Sequence, residues 1–284
     1  MLPAVFASLG AQTETAGTIL EKRVLKKIKF QSYQTFGFLA ITLVILPFLF
    51  FGFWQVSPEA WQFNNLIILG FVIIISTIAN YLTFVGLNRE NLTEFEPLRL
   101  FQPLFVILLA FLFYVSERTT SLNILIPALI ASSALIFSHI NKHHLKFNKY
   151  ALATLFGSLF FAIELVASKS ILPYYDPLSF YLVRCFFVFL FSWMLFRSKL
   201  SSTKGLKMQI ILIAAIWVAY RFLLYTGYGL YNIIFTTLMF ILAPVLIYLS
   251  AIIFLKERPA WKNTVAAIVI LICVGYAIFT SSTF

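Results

Sequence analysis

The chain has 284 residues, of which 61% are hydrophobic and only 11% are charged. A soluble domain would carry about 25% charged residues, so the composition excludes an ordinary globular domain and indicates an integral membrane protein. The net charge of +11 does not indicate nucleic-acid binding, because the basic residues lie in short segments between apolar stretches, as the positive-inside rule predicts for membrane proteins.

Apolar stretches of about 20 residues, the length of a membrane-spanning helix, follow one another along the chain. None shows the alternation of a β-barrel strand, so we predict an all-α integral membrane protein with ten transmembrane helices. The first stretch has no basic residue before it, and we take it as a span rather than a cleaved signal peptide. The predicted spans lie at 2–21, 34–54, 65–87, 92–115, 122–140, 150–171, 177–196, 207–229, 232–255 and 262–281.

The basic residues are distributed unevenly between the connecting loops. About 16 of the Lys and Arg lie in the first, third, fifth, seventh and ninth loops, whereas the even-numbered loops hold only Arg118 and Lys169. Because Lys and Arg are retained in the cytoplasm, we predict a multi-pass inner-membrane protein with cytoplasmic odd-numbered loops and both termini outside. The two cysteines, Cys185 and Cys273, lie inside apolar stretches and predict no disulfide framework.

The second half of the sequence repeats features of the first. A shift of 150 residues places Leu2–Glu14 on Leu152–Glu164, and the two glutamates coincide. Later features repeat with shifts of 141 and 140, so that Pro103 overlays Pro244 and Glu117 overlays Glu257. Each copy, 1–144 and 145–284, would contain five spans, an odd number. The second copy must then cross the membrane in the opposite direction, which is an inverted-topology repeat.

Two segments carry a family resemblance. "FQPLFVILLAFLFYVSERTT" (101–120) and "LAPVLIYLSAIIFLKERPAW" (242–261) each have an early proline, an apolar run and Glu-Arg at the helix end. With "DPLSFYLVRCFF" (176–187), they resemble the drug/metabolite transporter superfamily in its ten-helix EamA form. The resemblance implies a ten-helix transporter but no particular substrate. That family commonly keeps both termini in the cytoplasm, whereas the charge distribution here predicts the opposite, and we follow the charges.

Polar residues inside the predicted spans are the candidate binding residues. Glu14 and Glu164 come first, because an intramembrane carboxylate is costly and usually faces a cavity or a partner. Their alternative role is a structural hydrogen bond between helices. Arg99 and Gln102 lie one turn apart, and a local ion pair of Arg99 with Glu96 is the simpler interpretation.

The eighth predicted span carries the remaining candidates. Arg221 lies near its middle, overlays Asn80 of the first repeat, and could hold a substrate carboxylate or pair with Glu164. Trp217 and Tyr220 lie on one helical face with Arg221 nearby, where aromatic rings can bind cationic or ring-bearing ligands. The alternative for these rings is the aromatic belt at the membrane interface. Glu117 is a span-end residue, which we expect to fix a loop or form a salt bridge between the repeats rather than touch the substrate.

No metal or cofactor site is predicted. His139, His143 and His144 lie in or beside a basic loop without a nearby acidic residue or cysteine to complete a zinc site. The sequence contains no phosphate-binding or nucleophile motif, so neither ATP-driven transport nor hydrolysis is indicated.

These features predict a secondary transporter and not an enzyme. We expect alternating access between the two halves, with a midplane site lined by the first, third, fourth, sixth, eighth and ninth spans. Acidic, basic and aromatic groups together favour an amino acid or similar zwitterion, with proton coupling left open. The alternatives are an organic cation or amine, a lipid-linked substrate that is flipped, and a membrane-embedded lipid-modifying enzyme. The expected partners are the bilayer and the small-molecule substrate, with protons left open.

Overall fold

The computed structural model describes residues 2–52, 54–90, 95, 98–119, 122–139, 148–199, 204–242, 245 and 261–281. These residues form helices and connecting turns, and no β-strand lies among them apart from an isolated bridge between Val56 and Tyr175. The helices are α1 (Leu2–Leu25), α2 (Phe30–Leu49), α3 (Phe63–Arg89), α4 (Phe101–Phe113), α5 (Val115–Thr119), α6 (Leu122–His139), α7 (Lys149–Lys169), α8 (Pro177–Phe196), α9 (Lys204–Leu230), α10 (Ile233–Phe240) and α11 (Trp261–Ser281).

Five helices are long and apolar enough to cross a bilayer, and they lie at Phe30–Leu49, Phe63–Arg89, Lys149–Lys169, Pro177–Phe196 and Gly205–Leu230. Shorter apolar helices lie at Phe101–Phe113, Ile124–Phe137 and Thr264–Thr280. The protein is therefore a multi-pass, all-α membrane protein. The number ten stays a prediction, since most of the predicted ninth span after α10 lies outside the described residues.

The first helix is longer than predicted. We predicted a span ending at residue 21, but α1 continues to Leu25, and Val24 and Leu25 are buried in the core. The basic last turn, with Lys22 and Arg23, suits the negative end of a helix dipole. Glu21, the last residue of the predicted span, therefore lies within the helix and is buried in the bundle.

Helices of the two halves pack against each other in pairs. α1 packs along α9, α3 along α7, α2 along α8, and α6 along α11. In the two repeats α1 corresponds to α7, and α3 corresponds to α9. Exchanging the halves therefore converts the α1–α9 pair into the α7–α3 pair. The same exchange leaves the other two pairs unchanged, which is the pattern expected of two repeats related by a two-fold axis.

The contact between α3 and α7 depends on two glycines. A Cβ atom on Gly86 would lie 2.0 Å from Thr154 Oγ1, and one on Gly157 would lie 2.7 Å from Thr83 Oγ1. Small residues let membrane helices approach closely, because lipid provides no hydrophobic force to hold them together. Each helix contributes one glycine and one threonine, so the two backbones meet closely at two levels.

The hydrogen bonds described here divide the helix ends and loops into two groups. Bonds join members of the same group, and none of them joins one group to the other. At one end, Lys22 donates to the backbone carbonyl of Glu90, and Asn148 Nδ2 donates to Glu90 Oε1 at 2.7 Å. Lys27 Nζ lies 3.5 Å from Gln209 Oε1 at the start of α9. We name this the basic end, and it contains Lys22, Arg23, Lys26, Lys27, Lys29, Arg89, Lys149, Arg197, Lys199, Lys207 and Lys262.

The other group forms the opposite end. There the Ser57 N–H donates to the Tyr174 carbonyl at 2.9 Å, joining the α2–α3 loop to the α7–α8 loop. The Ile233 N–H donates to Glu117 Oε1 at 2.9 Å, joining α5 to α10. Each of the helices α2, α3, α7, α8 and α9 runs from one end to the other, as membrane-spanning helices must.

Candidate functional site

A cavity with about 850 Å³ of space, including the part open to solvent, lies between the helices. Its walls come from the C-terminal parts of α1 and α3 and the N-terminal part of α2, so it lies in the half of the bundle nearer the basic end. The lining combines aliphatic and aromatic side chains with a small number of charged groups: Glu14, Glu21, Arg99, Arg184 and Arg221. Such an apolar pocket with a few converging polar groups is typical of a small-molecule site.

Most of the predicted binding residues meet at this cavity. It is lined by Glu14, Asn80, Arg99, Gln102, Trp217, Tyr220 and Arg221. Glu164 is the exception, because its side chain is fully buried behind the cavity wall. The structure thus brings together residues that are up to 207 positions apart in the sequence, from Glu14 to Arg221.

The set of lining helices differs from the predicted one. We expected the second and seventh spans to contribute little, yet α2 supplies Tyr33, Gln34 and Phe38, and α8 supplies Tyr181 and Arg184. The expectation was wrong because we gave weight to isolated charges near mid-span. The polar positions of α2 lie in its first turns, and α8 contributes only a single charged residue to the cavity.

Glu164 holds two arginines from different helices. Its Oε1 lies 3.2 Å from Arg184 Nε, and its Oε2 lies 3.6 Å from Arg221 Nη1. Tyr225 OH donates to Glu164 Oε1 at 3.2 Å and itself accepts from Arg184 Nη1 at 2.8 Å. Ser76 Oγ accepts from Arg184 as well, at 2.7 and 3.0 Å. Arg184 is therefore fixed on several sides.

Arg221 is held less completely than Arg184. Its distance to Glu164 exceeds hydrogen-bond length, and neither Arg221 Nη1 nor Glu164 Oε2 has a hydrogen-bond partner among the described residues. Two guanidinium groups share one carboxylate, which leaves this part of the cavity wall with an excess positive charge. Because a buried cation without full pairing is costly, the arrangement is suited to binding an anionic group of a ligand.

The second ion pair joins α1 to the segment before α4. Arg99 Nη1 lies 2.9 Å from Glu14 Oε1, and both side chains are about one-fifth exposed. We had favoured a local pair of Arg99 with Glu96, which lies outside the described residues. The partner seen within the described residues, Glu14, lies 85 positions away in the sequence, because α1 packs against this part of the cavity.

Glu21 is a lining residue that the sequence did not predict. Its Oε1 accepts hydrogen bonds from Tyr33 OH and from Trp217 Nε1, both at 2.8 Å. A signal was present, since Glu14, Thr18 and Glu21 follow the i, i+4, i+7 spacing of one helical face. We missed it because Glu21 is the last residue of the predicted first span and is followed by a basic run.

The aromatic residues of α9 form a connected wall. Trp217 packs edge-to-face on Tyr220 with 5.3 Å between ring centroids, and Tyr220 does the same with Phe240 at 5.7 Å. Gly17 of α1 lies directly under the indole, where an added Cβ would lie 3.1 Å from the ring. The cavity residue Asn80 belongs to α3, where its Nδ2 donates to the Ser76 carbonyl of the preceding turn at 2.7 Å.

No group of three or more metal-ligating side chains occurs in the described part of the chain. His143 and His144 lie outside the described residues.

Comparison with known proteins identifies the family. The model of the EamA-like transporter family matches residues 1–138 and again residues 148–279. The chain belongs to the EamA-like transporter family. No curated protein matches the sequence. A solved structure titled "Crystal structure of protein" aligns with 98% of this chain and 97% of its own at a TM-score of 0.66 and 14% identity, which shows a shared fold.

The EamA membership covers both halves, as the sequence resemblance implied. In the first half, the signature proline Pro103 lies in the first turn of α4, next to the cavity residue Gln102. The signature residue Glu117 lies beyond the end of α4, in α5. In the second half, Pro244, Glu257 and Arg258 lie outside the described residues. The EamA family is a transporter family, so the cavity described above is the candidate site for a transported solute.

Proposed function

We propose that this EamA-like protein is a secondary transporter of a small zwitterion such as an amino acid. One observation carries the proposal: a cavity within a membrane bundle has an incompletely paired arginine, Arg221, on one wall and carboxylates, Glu14 and Glu21, on another. A ligand with one negative and one positive group would satisfy both walls. The aliphatic and aromatic lining between them suits an apolar side chain.

The packing supports alternating access between two inverted repeats. The helix pairs exchange under a two-fold relation, and the cavity lies on the basic side of the bundle. At the opposite end, Glu117 binds the start of α10, and Lys169 donates to the Tyr228 carbonyl. We propose that this end is the closed gate, and that the positive-inside rule makes the cavity an inward-facing one.

A ligand-stabilisation screen tests the substrate class. Purified protein is heated with each of the twenty amino acids, with amines, and with organic acids that lack an amino group. A ligand present at 100 times its dissociation constant should add about 2.7 kcal/mol to the free energy of unfolding. We expect stabilisation by one or more amino acids with apolar side chains. Stabilisation by amines alone would favour the organic-cation alternative.

Counterflow in liposomes tests transport itself. Vesicles loaded with an unlabelled amino acid that binds should accumulate the labelled form transiently, without chemical change, and a pH gradient imposed across the membrane then tests proton coupling. Arg221→Gln is the matched control that lacks a binding residue. It should preserve folding, because Glu164 stays paired with Arg184, but it should not exchange the amino acid. Chemical conversion of the solute, or binding without exchange, would contradict the proposal.

A further inference from the structure

We infer that Glu21 is the residue that binds the ammonium group of the substrate, and that the substrate is held with its carboxylate toward Arg221. The inference rests on the proposed function, because it assumes that the ligand of the cavity is a zwitterion. It assigns a binding role to a side chain that lay outside the predicted site.

Among the described carboxylates near the cavity, Glu21 alone faces it without a cation at ion-pair distance. Glu14 lies 2.9 Å from Arg99, and Glu164 lies behind the wall with two arginines. Glu21 is only 6% exposed, and its described hydrogen bonds come from two neutral groups. A carboxylate in this position has a strong preference for a cation, because neutral donors compensate its charge only in part.

The hydrogen bonds leave part of the carboxylate free for a ligand. Tyr33 OH and Trp217 Nε1 both donate to Oε1. They fix the carboxyl group in one orientation, and Oε2 has no donor among the described residues. A group with several N–H donors, such as an ammonium, can bind at Oε2 without displacing either neighbour.

The position of Trp217 relates the two charged subsites. Trp217 binds Glu21 and precedes Arg221 by four residues on α9, a rise of about 6 Å along the helix. Along α9, the residue that binds Glu21 and the arginine of the positive subsite are thus about one turn apart. Compact zwitterions, in which one to three carbons separate the charged groups, fit this separation, and the ammonium would lie nearer the basic end.

Three ligands that share one carbon skeleton test the assignment. L-leucine carries both charges, 4-methylpentanoate lacks the ammonium group, and 3-methylbutylamine lacks the carboxylate. Glu21→Gln keeps an oxygen acceptor for Tyr33 and Trp217 but removes the charge. We expect affinity for leucine and for the amine to fall by roughly 10- to 100-fold, the range for a lost hydrogen bond to a charged group. Affinity for 4-methylpentanoate should stay within about twofold of wild type, because its carboxylate binds elsewhere.

Two further variants complete the design, with affinity measured from ligand-induced thermal stabilisation per folded molecule. Arg221→Gln should show the reverse selectivity, losing leucine and 4-methylpentanoate but retaining the amine. Glu59→Gln removes an exposed carboxylate in the α2–α3 loop and should match wild type for all three ligands.

The outcomes separate the inference from the proposed function. If wild-type protein binds leucine and Glu21→Gln weakens all three ligands equally, or none, the inference is overturned while the proposed function stands. If wild-type protein binds no amino acid, the proposed function is overturned, and the inference with it. An amino acid other than leucine that binds is tested with its own deaminated and decarboxylated analogues, under the same criteria.

Discussion

At the residue scale, Glu164 lies at the centre of the charge arrangement although it does not line the cavity. It compensates Arg184 and Arg221 at 3.2 and 3.6 Å, and we propose that it positions both arginines for the ligand. Glu164→Gln would leave two buried arginines without a carboxylate at ion-pair distance in the described residues. Breaking a buried pair in this way typically costs about 3–5 kcal/mol. We therefore expect a marked loss of thermal stability in detergent.

A second substitution distinguishes this role from direct substrate binding. In the double variant Glu164→Gln, Arg221→Gln, one of the two uncompensated charges is gone, and part of the lost stability should return. A direct ligand would behave differently, since Glu164→Gln would then weaken binding per folded molecule without a large change in stability. Exposed Glu59, again changed to Gln, shows the effect of charge removal alone.

Trp217 joins the carboxylate of Glu21 to the aromatic wall of α9. A large-to-small change in a sealed core costs about 3–5 kcal/mol, but one face of this half-buried ring borders the cavity. Trp217→Ala should therefore cost less stability than that range and should weaken leucine binding about tenfold or more, because Glu21 loses a fixed donor. Thermal shift and ligand titration measure the two effects separately. If stability falls while binding per folded molecule is unchanged, Trp217 only fills space.

The candidate site could be predicted in part because its residues are unusual within apolar spans. Arg99 and Arg221 stand out as charges between hydrophobic neighbours, Glu14 overlays Glu164 in the repeat, and all three line the cavity. Glu21 did not stand out, because it is followed by a basic run. Arg184 was identified only as part of a family motif. Arg184 contacts Glu164 and also Ser76, which lies 108 positions away in the sequence. These contacts depend on helix packing that the sequence pattern does not specify.

At the element scale, the start of α10 is built by two residues from different halves. Glu117 Oε1 and Oε2 accept from the N–H groups of Ile233 and Ile234, and Asn232 Oδ1 accepts from Phe235. Three of the four N–H groups that a helix leaves unpaired at its start are thereby satisfied. We expected Glu117 to fix a loop or form a salt bridge between the repeats; its described contacts are instead hydrogen bonds to the backbone at the start of α10.

Removing this cap should destabilise the opposite end of the bundle. Glu117→Ala leaves two buried N–H groups without their acceptors, at a cost of about 1–3 kcal/mol each. Asn232→Ala removes an ordinary N-cap and should cost about 1 kcal/mol. We expect Glu117→Ala to lower the unfolding temperature more than Asn232→Ala does, with leucine affinity of the folded protein unchanged in both. Equal stability of Glu117→Ala and wild type would contradict the capping role.

At the scale of the whole molecule, the distribution of Lys and Arg predicted how the helix ends are grouped. The odd-numbered loops of the sequence analysis lie at the basic end, and the even-numbered ones at the opposite end, wherever the structure describes their contacts. This could be anticipated because a charge asymmetry follows directly from the order of spans and loops. The shape and depth of the cavity could not be anticipated from the sequence, because they depend on how α1, α2, α3 and α9 pack together.

The ends of α2 provide a test of the orientation of the protein in the membrane. Lys29 lies just before α2 at the basic end, whereas Glu59 follows α2 at the opposite end. The 20 residues of α2 itself span about 30 Å. We expect Glu59→Cys to react with a membrane-impermeant thiol reagent in intact cells, and Lys29→Cys to react only after permeabilisation. Wild-type protein is the control, because Cys185 and Cys273 are buried. Labelling of Lys29→Cys alone in intact cells would reverse the orientation and make the cavity outward-facing, whereas equal labelling of both would show that α2 does not cross the bilayer.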